Sequence, residues 1–126
     1  MRFLLNPQMC LVFLAAFIVA VLTHWTIPYR DLGLLENGLA LRWIFYSILI
    51  SLIAHLKLNI LSGKAAYLIA SGFLSAVILR AGFEILNDTS YHNLWPLELI
   101  LVFGITFIPA FLVGFLFKSI KKLTKE

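Results

Sequence analysis

The chain has 126 residues, 62% of them hydrophobic and 13% charged, with a mean hydropathy of +0.99. Soluble domains run nearer roughly 45–50% apolar and about 25% charged, so an ordinary water-soluble domain is excluded. At about 20 residues per membrane crossing, four crossings leave no room for a separate catalytic domain. The net charge of +4, from 10 Lys and Arg against 6 Asp and Glu, gathers at the boundaries of apolar segments. The positive-inside tendency accounts for that placement without nucleic acid as a partner.

Cys10 is the single cysteine, which excludes an intrachain disulfide and a cysteine-based metal site. The first apolar segment lies between Arg2 and Arg30 with no charge inside it and predicts a crossing over residues 4–27. We expect it to be retained as a helix rather than cleaved as a signal peptide, because no clean small-x-small site precedes a polar start.

The second segment, between Arg42 and Lys57, holds only 14 residues. It spans if those two side chains snorkel to opposite interfaces, giving a helix over 39–60. The third begins after Lys64 and predicts a helix over 65–86 that carries Arg80 and Glu84 within its length. The fourth offers 19 uncharged residues between Glu98 and Lys118, a helix over 96–118 with Pro96 in its first turn. Pro109 falls mid-span, where it removes a backbone bond, and either Thr106 or a partner helix is expected to satisfy the freed carbonyl. The remainder, 118–126, reads as a basic tail that anchors to anionic headgroups. The connector around Ser62 and Gly63 is short enough to make the second and third helices antiparallel neighbours. The two halves show no internal repeat. The 11 Phe residues read as lipid-facing and core filler.

These elements define an all-α membrane protein: one domain, a compact bundle of four transmembrane helices with both termini cytoplasmic. Orientation follows from seven basic residues on one side (Arg2, Lys57, Lys64, Lys118, Lys121, Lys122, Lys125) against Arg30, Arg42 and Arg80 on the other. The expected location is a bacterial plasma (inner) membrane, with loops 28–38 and 87–95 facing the periplasm or exterior.

Ionisable residues inside membrane helices are costly enough to mark a function by default. Arg80 and Glu84 are four residues apart, hence on one helical face, and Gly72 and Ala76 continue that face with small residues suited to close packing. Arg80 is therefore expected to point into the bundle or an outer vestibule rather than at lipid, paired with Glu84 or with Asp88 or Glu98, or to recognise an anionic group. If the pair is structural, exchanging the two charges should partly rescue the loss of Arg80. The stretch from Asn87 to Glu98 is unusually polar for a chain this apolar. It holds His92, which titrates near neutrality and is the one catalytic candidate, though no nucleophile with a placed base accompanies it. Arg80, Glu84, Asp88, His92 and Glu98 form the candidate binding set. No metal or cofactor is expected, since their spacing matches no ligand pattern. Ser47, Ser51, His55 and Asn59 make a polar row at intervals of four on the second helix. His24, His55 and His92 fall near segment ends on different sides, which argues against haem held across the bundle.

Three functional readings follow. The first is an accessory or assembly subunit, working as a homo-oligomer or beside a larger membrane protein within the lipid bilayer. The second is a small oligomeric transporter or channel-like protein binding an ion or anionic substrate at its outer mouth. The third, and least supported, is an enzyme acting on a lipid headgroup.

Overall fold

A computed structural model describes residues 6–26, 38–87 and 95–125. Among these the chain forms four helices and no strand: α1 (Pro7–His24), α2 (Leu39–Lys57), α3 (Ser62–Asn87) and α4 (Trp95–Leu123). All four are long and apolar enough to cross a membrane, as a helix must be whose backbone groups have to be satisfied internally in lipid.

The boundaries have local causes. α1 starts at Pro7 because the Asn6 side chain accepts the Gln8 N–H at 3.0 Å and Pro7 needs no donor in the first turn. Gly38, at φ 67°, turns the chain into α2 in a left-handed conformation that glycine adopts without strain. α2 stops at Lys57, short of the expected 60, since Leu58 is extended (φ −122°, ψ 145°). α3 in turn begins at Ser62, three residues early. α4 continues to Leu123 through the segment expected to be a tail, because nothing after Gly114 breaks a helix. At 1.5 Å per residue, α4 is about 44 Å long against a hydrocarbon core of about 30 Å. It therefore overshoots the apolar layer or tilts strongly. Pro109 lies within continuous helix, and the Thr106 hydroxyl donates to Val102 O at 2.8 Å and to Phe103 O at 3.3 Å rather than to the carbonyl that Pro109 frees.

Around the bundle the order is α1, α3, α4, α2, with the most extensive packing between α3 and α4, α1 and α3, and α2 and α4. α2 and α3 meet least of the packed pairs, which corrects the expectation that a short connector makes them close neighbours. The four residues 58–61 supply about 13 Å when extended, enough to cross a diagonal between helices packed 8–10 Å apart.

Trp43, Phe73, Leu39, Ile69 and Val102 fill the centre, with the Trp43 and Phe73 rings edge to face at 5.4 Å. On α4 the rings of Phe103, Phe107, Phe111 and Phe115 stack in sequence along one stripe. Two glycines set the closest approaches. A Cβ on Gly72 would lie 2.7 Å from Ala16 Cβ and 2.8 Å from Phe13 O, and one on Gly114 would lie 2.6 Å from His55 Cε1. Gly72→Ala is accordingly expected to lower stability by about 1–3 kcal/mol, read as earlier unfolding in detergent. Gly63→Ala adds a methyl that meets nothing within 4 Å and should shift stability by less than about 1 kcal/mol. Equal shifts for the two variants would show that close approach at Gly72 is not the cause.

Candidate functional site

At one end of the bundle Arg80 is buried, 6% exposed, a placement tolerated only with partners in hand. Its Nη1 donates to the backbone carbonyl of His24. That carbonyl belongs to the last residue of α1 and is among the four that a helix leaves without an internal acceptor role. It also carries the negative end of the α1 dipole, so a guanidinium is the suited partner. Arg80 Nε lies 3.9 Å from Glu84 Oε1, an ion pair one turn along the same helix. Two further cross-helix bonds close this end: Trp43 Nε1–H donates to Thr23 Oγ1 at 2.8 Å, and Trp25 Nε1–H donates to Ala76 O at 3.3 Å. The Thr23 hydroxyl passes its own proton to Val19 O at 2.8 Å. The His24 ring packs at 5.4 Å from Trp43 and is buried, with Nδ1 lacking a hydrogen-bond partner among the described residues.

Of the five residues expected to form the site, Arg80 and Glu84 come together as the spacing required. Glu98 sits half-buried in the first turn of α4, where its charge complements the positive helix end. Asp88 and His92 lie outside the described residues. Thr23, His24 and Trp43 complete the cluster and were not singled out as site residues from the sequence. The interruption of an apolar run by Thr23-His24-Trp25 was the signal available for them.

At the opposite end the polar row of α2 points inward. Ser47 donates to Ile44 O within its own helix at 2.8 Å, while the buried Ser51 hydroxyl crosses to Ala110 O on α4 at 2.7 Å. His55 Nδ1–H donates to Ser51 O at 2.7 Å, which makes Nε2 the acceptor of the neutral ring, and Nε2 is buried with no hydrogen-bond partner among the described residues. The ring is buried against Gly114. Asn59 falls outside the helix, exposed in the connector. His55 also lines a cavity of about 590 Å³ enclosed by the end of α2, residues 58–60 and the last turns of α4.

Between the two polar ends stand Trp43, Phe73 and Ile69, all fully buried. Among the described residues no three His, Cys, Asp or Glu side chains group as a metal ion would need. The arrangement is that of a bundle of four helices, each long and apolar enough to cross a membrane, with a buried, internally bonded arginine at one end and a lysine-lined cavity at the other. No family model, curated protein or solved structure matches the chain.

Arg80→Met leaves the His24 carbonyl without its donor and Glu84 without its counter-ion, and should destabilise the bundle by about 3–5 kcal/mol. Glu84→Gln removes a longer, partly solvated pair and should cost less than about 1 kcal/mol. The charge exchange Arg80→Glu with Glu84→Arg is expected not to rescue, because a carboxylate cannot donate to the His24 carbonyl. Unfolding curves in detergent check the order, and a rescued exchange variant would show Glu84 to be the dominant partner instead.

Proposed function

We propose that this chain is an accessory or assembly subunit, a small integral membrane protein that acts by presenting helix surfaces to a second membrane-spanning helix. The observation that carries this reading is the open groove at Gly104. The buried helical glycines Gly72 and Gly114 each receive a close neighbour from within the chain, whereas a Cβ on Gly104 would meet nothing within 4 Å. Gly104 lies instead in a wholly apolar groove of about 580 Å³ between α4 and Ile44 of α2, beside Ile108 and Pro109. A glycine inside a helix costs up to about 1 kcal/mol relative to alanine, and small residues at such positions let a second helix approach closely. Arg80 supports the same reading, because its donors are engaged within the bundle and the space between the two polar ends is filled by side chains.

In this proposal the occupant of the groove is a helix of another chain, either a further copy or a larger membrane protein. Both termini and the lysine-rich end face the cytoplasm of a bacterial cell, with residues 28–38 and 87–95 outside, following the seven-to-three distribution of basic residues. A second reading, a small oligomeric transporter or channel-like protein binding an ion or anionic substrate, is favoured by one observation: the buried, unpartnered His24 Nδ1 beside Arg80.

Gly104→Leu tests the first reading, since its Cβ meets nothing of this chain within 4 Å and its side chain takes up space in the groove. It is expected to abolish the higher-mass species seen by native mass spectrometry of gently extracted protein while leaving thermal unfolding unchanged. Unaltered assembly in that variant would assign the groove to lipid chains and remove the support for docking.

A further inference from the structure

We propose that the cavity at the lysine-rich end is a binding site for a phosphate-bearing anion, with the headgroup of an anionic phospholipid as the occupant its chemistry fits best. This goes beyond the assembly reading and does not depend on it. The volume of about 590 Å³ falls within the roughly 300–1,000 Å³ typical of ligand pockets. Its wall is built from two elements. Lys118 and Lys121 lie three apart on one face of α4, Lys125 joins them from the turn that follows the helix, and Lys57 with Asn59 comes from the end of α2 and its connector. No described carboxylate lines the cavity, and among the described residues none of these four ammonium groups forms a hydrogen bond or an ion pair.

The local charge favours an anion even after the backbone is counted. The C-terminal ends of α2 and α4 contribute about −0.5 each, against four positive charges, so the described residues around the concavity carry an excess of about +3. A patch that served only solubility has no reason to gather its lysines around a cavity, where they repel one another. Continued α4 is what brings them there: its last turns carry Lys118 and Lys121 beyond the apolar stretch, and the turn at Thr124 and Lys125, held by Thr124 N–H to Ile120 O at 3.0 Å, adds the third.

His55 is the second, independent observation. It is buried, it lines the same cavity, and its Nε2, an acceptor in the neutral ring, has no partner among the described residues. A headgroup hydroxyl or a protonated phosphate oxygen is the kind of donor that would satisfy it. The floor beside it is apolar, with Phe117 tilted against the His55 ring at 6.2 Å and Ile60 buried. That floor suits the first carbons of a lipid better than a free ion. Basic pockets between membrane helices at a membrane surface are recognised acceptors of anionic headgroups.

Lys121 and Lys122 provide a matched test, being adjacent, both exposed and equal in charge, with only Lys121 on the cavity. Native mass spectrometry of the full chain in detergent would be titrated in separate arms with phosphatidylglycerol, phosphatidylcholine and inorganic phosphate. The wild-type protein is expected to retain phosphatidylglycerol at least about ten-fold more tightly than phosphatidylcholine. Lys121→Gln should weaken that binding about five-fold, from about 1 kcal/mol per lysine, and Lys122→Gln less than about two-fold. Displacement of the lipid by millimolar inorganic phosphate would uphold the site and name free phosphate as its source. Equal losses for the two variants, equal retention of phosphatidylcholine, or no binding of either anion would overturn the proposal.

Discussion

The parallel register of α1 against α3 is the constraint on which the Arg80 end of the molecule depends. Ala16 lies against Gly72 and the His24 carbonyl against Arg80, a separation of 56 residues in the chain. The same offset joins Ala16 to Gly72 and, midway, Ala20 to Ala76, both fully buried. The two helices thus meet every fourth residue along a seam of small side chains, and the seam ends where α1 ends. Gly72 permits the approach, and the approach delivers an orphan carbonyl to a guanidinium. That carbonyl adds to a partly solvated carboxylate at 3.9 Å, which by itself is a weak recompense for desolvation.

A second seam joins α2 to α4 by the same logic. Ser51 bonds Ala110 across an offset of 59 residues, and His55 packs on Gly114 at that same offset. Ser47 with Thr106, and Trp43 with Val102, share the offset and are all buried. Both seams join helices that run in the same direction, so each half of the chain contributes one helix to each seam. Lipid offers no hydrophobic drive between helices, so close backbone approach and interhelical hydrogen bonds must do the joining. Both kinds of contact are present in each seam.

The helices were legible in the sequence because long uncharged runs in lipid have few alternatives, and the i,i+4 spacing of Arg80 and Glu84 put them on one face correctly. The small residues at Gly72 and Ala76 likewise announced a packing face, and Ser51 announced a bond to a neighbour. What escaped was set by partners that carry no side-chain signature. The acceptor for Arg80 is a backbone carbonyl, which any residue at position 24 would supply, and the choice between adjacent and diagonal placement of α2 and α3 rests on the extended conformation at Leu58. The helical continuation of α4 past Lys118 was hidden by reading the lysines as a solvated tail, although their spacing of three and four was already helical. The expectations for Asp88 and His92 fall on residues outside those described.

The two ends of the bundle treat positive charge in opposite ways, and that asymmetry separates structure from ligand recognition in this molecule. Arg80 is buried and bonded, and a planar fork of donors suits it to a fixed backbone acceptor. The lysines at the other end carry point charges on flexible stems, stand at the edge of a cavity and have no acceptor among the described residues. A fixed acceptor within the fold calls for the first arrangement, and an exchangeable anion calls for the second. Because the central layer of Trp43, Phe73 and Ile69 separates the two ends, an event at the lysine cavity reaches the Arg80 end only through the helices. The route available is the α2–α4 seam at His55 and Gly114, then the packing of Trp43, which is bonded to Thr23 beside the His24 carbonyl.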